Sequence, residues 1–183
     1  VMATQNPIEQ EGTYPLPEAQ LDRFLMHILV DYPDAIGERE ILKLNQKEAK
    51  QSTSDSELFK PQTTLKQAEI LVARQEVLDL HLAEPLQEYI VQLVLATRDC
   101  GRYGDDLAGL LQYGASPRAS IALDRCARAH AWLAARDFVT PEDVQSVAHD
   151  VLRHRILLSF EAEAAGKAPD DIVDLLIARV GVP

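Results

Sequence analysis

Three polar residues stand where a side chain could act on a phosphate: Asn6, Arg23 and Arg118. Asn6 follows the short apolar run Val1-Met2-Ala3-Thr4 and precedes Pro7, at the kind of strand end where open α/β sheets hold nucleotides. A short neutral amide there can orient a water against a terminal phosphate without adding charge, and it can equally be a turn residue bonding its own backbone. Arg23 lies near the end of Glu18-Ala19-Gln20-Leu21-Asp22-Arg23-Phe24, just before a second apolar run. Its fixed charge and five donors suit the charge that develops in phosphoryl transfer, and they suit an intrachain ion pair with Asp22 or Glu18 as well. Arg118 follows Ser116-Pro117, a serine cap with proline in the first helical position. The helix end already favours anions there, so an arginine either meets a compensating anion or snorkels to solvent.

Other residue types offer less. His27, His81, His130, His149 and His154 have no carboxylates at ligand spacing, and Cys100 and Cys126 form no CxxC pair, so no metal site is expected and both thiols read as reduced and structural. Arg153-His154-Arg155 is a compact basic spot, read as a solvated or intrachain-paired helix face. Trp132 reads as a core residue. A loop that cradles phosphates needs the pattern G-x-x-x-x-G-K-[ST]. The sole Gly-Lys pair, Gly166-Lys167, has Glu161 and Ala168 at the two flanking positions of that pattern and so fails it at both ends. No apolar run ends in Asp-Glu, so the acids that would hold magnesium and activate water are missing too.

The elements that must position these residues change character along the chain. Val1 to Thr4 and Leu25 to Val30 are apolar runs that read as two strands of a buried sheet, with a loop over residues 8 to 15 and a short helix from Glu18 to Phe24 between them. Beyond Asp31 the pattern turns helical. Helices are expected over Asp34 to Ala49, Leu65 to Val77, Glu84 to Asp99, Ser116 to Ala135, Thr140 to His149, residues 150 to 160, and Asp170 to Val180. Lys50 to Pro61 reads as a polar connector, Leu78 to Leu82 as a short strand or extended link, and Gly101 to Gly114 as loop. The fold class expected is mainly α: the C-terminal edge of an α/β core over residues 1–32, then an all-helical domain over 33–183.

Composition sets the limits. With 183 residues, 46% apolar and 26% charged, the chain is long enough for one substantial core or two small ones and is unlike a disordered tail. Its formal net charge of -11 opposes nucleic acid as a partner. No run of about 18 apolar residues is present, which excludes a membrane-spanning helix, and the N-terminus has no signal-peptide layout. A cytoplasmic location is expected, and the opening strand-like run suggests a start inside a larger protein.

Three segments together carry a family resemblance: Ala3-Thr4-Gln5-Asn6-Pro7, Leu16-Pro17-Glu18-Ala19-Gln20-Leu21-Asp22-Arg23-Phe24, and Gly114-Ala115-Ser116-Pro117-Arg118-Ala119-Ser120. Thr140-Pro141-Glu142-Asp143-Val144 and Val151-Leu152-Arg153-His154-Arg155 support them. In this order the chain resembles the C-terminal portion of MoxR-type AAA+ ATPases, over nearly its whole length. The resemblance implies that Asn6 is sensor 1, Arg23 an arginine finger acting in trans, and Arg118 sensor 2 on a helical lid. It implies ATP and Mg2+ as cofactors of the intact protein, with their phosphate and magnesium ligands outside this chain. It further implies a homo-oligomeric, often hexameric ring and chaperone-like remodelling or metal-cofactor maturation of client proteins, often beside von Willebrand factor A-type proteins. Without its phosphate loop the fragment alone is expected to hydrolyse no ATP. A rival reading is a stand-alone helical protein-interaction adaptor; a third, a helix-turn-helix nucleic-acid binder using Ser116 to His149, is opposed by the net charge.

Overall fold

A computed structural model describes residues 1–6, 16–51 and 64–182. Eight α-helices occur among them: α1 Glu18–Leu21, α2 Ala35–Gln51, α3 Gln67–Asp79, α4 Glu84–Arg98, α5 Pro117–Leu133, α6 Pro141–Leu152, α7 Phe160–Ala164 and α8 Pro169–Arg179. Two short strands, β1 Leu111–Tyr113 and β2 Leu157–Leu158, pair antiparallel, with Leu111 opposite Leu158 and Tyr113 opposite Leu157. The chain divides into two compact units, Val1–His27 with Glu76–Pro183, and Ile28–Gln75.

The larger unit is built on α4, α5, α6 and α8. α4 buries Leu86, Tyr89, Ile90, Leu93, Val94, Ala96 and Thr97, a stripe at helical spacing. α5 meets its neighbours through Ala119, Ala122, Leu123, Cys126, Ala127 and Ala131, and the small side chains let backbones approach closely. α6 contributes Val144, Val147, Ala148, Val151 and Leu152, and α8 Ile172, Val173 and Leu176. Helix starts follow their sequence signals. Ser116 Oγ accepts from the Arg118 amide, Pro141 opens α6, and the Asp143 carboxylate accepts from the Thr140 amide at 2.8 Å.

The segment carrying Arg118 is anchored from behind. The Ala115 amide donates to Thr97 Oγ1 at 2.9 Å, and Thr97 Oγ1 donates to the Val94 carbonyl at 2.7 Å. Gly114 runs so close to the end of α4 that a Cβ there would overlap the Thr97 carbonyl. Arg98 Nε reaches the Ala115 carbonyl at 2.8 Å. The N-terminus of α5 is therefore fixed through Ala115, whose amide and carbonyl bond to two α4 side chains, Thr97 and Arg98.

The smaller unit holds α2 and most of α3, both with exposed apolar side chains: Ile36, Ile41, Leu42 and Leu44 on α2, Ile70, Leu71 and Val72 on α3.

The mainly α class holds, but the strands lie elsewhere than the apolar runs suggest. Residues 1–6 and 25–30 have no strand assignment, and Leu25, Ile28, Leu29 and Val30 are exposed. A strand exists only through a neighbour that completes its ladder, and no described strand lies beside either run. The first helix stops at Leu21, one turn instead of two. The helical domain is not all helix, because β1 and β2 lie within it. Residues 150 to 160 are not one helix: α6 ends at Leu152, a turn and β2 follow, and α7 begins at Phe160. The region from Gly101 to Gly114 includes two short 3-10 turns as well as β1. His81 and Phe138 form an isolated parallel bridge, which agrees with an extended link at Leu78 to Leu82. The loop over residues 8 to 15 and all but the first two residues of the polar connector lie outside the described residues.

Candidate functional site

The most densely bonded polar cluster near a predicted site residue centres on Asp22, in the turn after α1. Its carboxylate accepts from Ser116 Oγ at 2.9 and 3.0 Å and from Arg118 Nη1 at 3.1 Å. Arg155 Nε lies 3.2 Å from Asp22 Oδ1, near enough for charge pairing but not aligned as a hydrogen bond. Burial opposes the charged form of Asp22, yet the Ser116 hydroxyl, Arg118 and Arg155 outweigh it and hold the carboxyl below its usual range. Asp22 is therefore an anion under all ordinary conditions. Beside it opens a cleft of about 200 Å³ whose lining includes Glu18, Asp22, Tyr113, Ser116, His154 and Arg155.

The predicted residues fall as follows. Arg118 occupies the second residue of α5, with its guanidinium on Asp22 and 53% of its side chain exposed. Arg23, adjacent to Asp22, is exposed in the turn after α1 and makes no ion pair among the described residues. The intrachain pair with Asp22 or Glu18 open to it on sequence is not formed among the described residues, and Arg118 and Arg155 hold the Asp22 carboxylate instead. Asn6 is exposed, in the irregular stretch of residues 1–6, and does not line the cleft. The structure thus joins Arg118 to the Arg23 turn through Asp22.

The comparisons with known proteins agree with this arrangement of segments. Residues 108–176 match a family model described as the AAA lid domain, and residues 1–26 match one described as ATPase family associated with various cellular activities (AAA). The chain is 42% identical to chaperone MoxR1 of Mycobacterium tuberculosis, over the whole of this chain and 46% of that protein. It is 39% identical to the Bacillus subtilis protein YeaC, over the whole of this chain and 52% of that protein. A crystal structure of a candidate ATPase from Cytophaga hutchinsonii superposes with a TM-score of 0.87 at 40% identity, over 98% of this chain and 52% of that one. Over its whole length this chain matches part of the MoxR-type AAA+ ATPases. It spans about half the length of the curated relatives it matches.

In this MoxR-type chain the residues that sequence reasoning passed over are Asp22, left as a structural acid, and Arg153-His154-Arg155. Of the two alternatives for this spot, Arg155 takes the intrachain-paired one: its side chain is 2% exposed, lies against Asp22 and donates to the carbonyls of Asp22, Phe24, Leu25 and Val151. His154 Nε2 lies 3.2 Å from the Phe24 carbonyl, which can only accept, so the ring proton sits on Nε2. Its Nδ1 is buried without a partner among the described residues, as a lone pair tolerates better than an N–H. Burial, followed by the charge of Arg155, pushes the His154 pKa down to about 4. The hint in the sequence was a triplet of cations beside apolar Val151-Leu152 and Ile156-Leu157-Leu158, since charges in such a setting need acceptors.

AAA+ ATPases use a nucleotide and magnesium. Arg118 is a half-exposed cation at the N-terminus of a 17-residue helix, a setting that favours anions, and the anion it meets here is Asp22. No group of His, Cys, Asp and Glu side chains among the described residues could hold a metal ion. No described helix is long and apolar enough to cross a membrane.

Proposed function

We propose that this chain is the sensing and relaying part of an ATP-driven, chaperone-like ring ATPase, with residues 1–32 closing the α/β core and 33–183 forming the lid. Magnesium ATP, bound mainly by polypeptide outside this chain, supplies the phosphoanhydride whose hydrolysis drives the lid. Arg118 binds the terminal phosphate of its own subunit's nucleotide as sensor 2. Asn6 orients the attacking water as sensor 1. Arg23 presents its guanidinium to the site of the neighbouring subunit, where it stabilises the charge of the transition state. Asp22 and Ser116, which line the cleft, hold Arg118 by bonds to its guanidinium and amide.

The observation that carries this reading is the joint at Asp22, where a half-exposed arginine on the lid is bonded one residue from an exposed arginine that has no intrachain ion pair among the described residues. The homology to chaperone MoxR1 supports remodelling of client proteins as the output, and the ring and a cytoplasmic location follow from the same family reading. Maturation of metal cofactors, and work beside von Willebrand factor A-type proteins, belong to this proposal as its most specific part.

Substitution in the full-length protein tests it. Arg23→Ala lowers turnover by about 10³-fold or more with nucleotide binding nearly unchanged, since the finger acts in the transition state. Arg118→Ala weakens both binding and turnover. Wild-type turnover in Arg23→Ala removes the finger, and unchanged nucleotide affinity in Arg118→Ala removes the sensor.

A further inference from the structure

Arg153, His154 and Arg155 take no part in the phosphate chemistry above, yet all three turn to one short stretch of backbone. Arg155 donates to the carbonyls of Asp22, Phe24 and Leu25. His154 Nε2 donates to the Phe24 carbonyl at 3.2 Å, and Arg153 Nη1 donates to the His27 carbonyl at 2.6 Å. The His27 amide returns a bond to the Asp150 carbonyl at 2.8 Å. Residues 22 to 27 are thus held at both ends by the last turn of α6 and the residues after it. Arg23 sits inside the held stretch, with its own side chain exposed.

A guanidinium removed from water is costly, and an apolar side chain of similar volume often serves stability as well or better. What the planar fork adds is direction, because it fixes several acceptors at once where a methionine would fix none. We propose that Arg155, aided by Arg153 and His154, is a positioning residue for Arg23. It ties the Arg23 turn, at the edge of the core, to the end of α6 in the lid, so the finger advances on or withdraws from the neighbouring subunit as the lid of its own subunit rotates. This rests on the reading of Arg23 as a finger in trans. Arg118 and Arg155 share the Asp22 carboxylate, so a movement of Arg118 toward phosphate unloads the joint that Arg155 holds.

The test uses the full-length protein. Arg155→Met should lower turnover roughly tenfold or more while the nucleotide Kd stays within about twofold, the split expected of a loss confined to the transition state. Amide exchange at His27 should quicken about tenfold while the α5 amides keep their protection. Arg155→Lys, a single-point cation, should fall between the two. Mixed assemblies then separate positioning from general weakening. Arg155→Met subunits should regain activity when mixed with Arg118→Ala subunits, whose fingers are intact, and should gain nothing from Arg23→Ala subunits.

Turnover within twofold of wild type in Arg155→Met, or rescue by Arg23→Ala subunits instead of Arg118→Ala subunits, overturns the inference. Should Arg155→Met fail to assemble, Arg153→Ala, which leaves the buried guanidinium in place, goes through the same assays with the same decision. An inactive Arg23→Ala beside a normal Arg155→Met sinks this inference alone, whereas a fully active Arg23→Ala sinks the finger reading beneath it.

Discussion

His154 shows how strongly one side chain can depend on its neighbours. Its pKa of about 4, set by burial and then by Arg155, lies below the ordinary histidine value near 6.5. The unfolded chain therefore binds a proton more readily than the folded one between these values, so the stability that His154 confers is complete above about pH 6.5 and is lost as the pH falls toward 4. Partial exposure limits the effect to about 1–2 kcal/mol. Thermal unfolding should show a lower Tm at pH 5 than at pH 7, with a smaller drop in His154→Gln; equal drops would assign the dependence to other groups. Gly114 is a second residue whose identity is dictated by space. Gly114→Ala should destabilise by about 1–3 kcal/mol, because its Cβ meets backbone rather than a flexible side chain, and denaturant titration reads this directly. The placement of Arg118 and Arg23 beside helix ends was legible in the sequence because each adjoins a local helix signal. Asp22 as a hub was not, since its partners Ser116 and Arg155 lie 94 and 133 residues further along the chain.

Helices were easier to read than strands because their signals are local. Ser116-Pro117 and Thr140-Pro141 announce α5 and α6 within a few residues, and the stripe on α4 is visible as period alone. The start of α6 is reinforced beyond its cap: the Asp143 carboxylate, with no exposure as a residue, accepts from Arg136 and His130 as well as from Thr140. Burial opposes its charge, but Arg136 and the Thr140 amide prevail and hold its pKa well below the usual carboxylate range. Asp143→Ala should cost on the order of 2–4 kcal/mol, since Arg136 and the helix end lose their acceptor together; a ΔΔG under about 1 kcal/mol would show the cluster to be dispensable. Strand pairing depends on what lies alongside. For that reason Leu25 to Val30 resembles a buried strand in composition without being paired here, while the two residues of β2 give almost no local sign.

For the molecule as a whole, the distribution of roles predicts concentration dependence. If Arg23 serves a neighbouring subunit, the specific ATPase activity of the full-length protein should fall on dilution below its assembly range, and mass photometry on the same samples should show rings dissociating in step. Constant specific activity through dissociation would place the whole site within one chain. The brace carries a different consequence, for sequence drift. Arg153, His154 and Arg155 grip main-chain carbonyls at Phe24, Leu25 and His27, so those side chains are free to vary while the grip persists. Tolerance ends at Asp22, whose carboxylate is itself engaged, and at any proline in place of His27, which would delete the amide that Asp150 receives. A saturation library across residues 22 to 27, scored for folding rather than for turnover because Arg23 is the proposed finger, would therefore be permissive in the middle and intolerant in those two respects, a pattern set by backbone geometry rather than by side-chain chemistry.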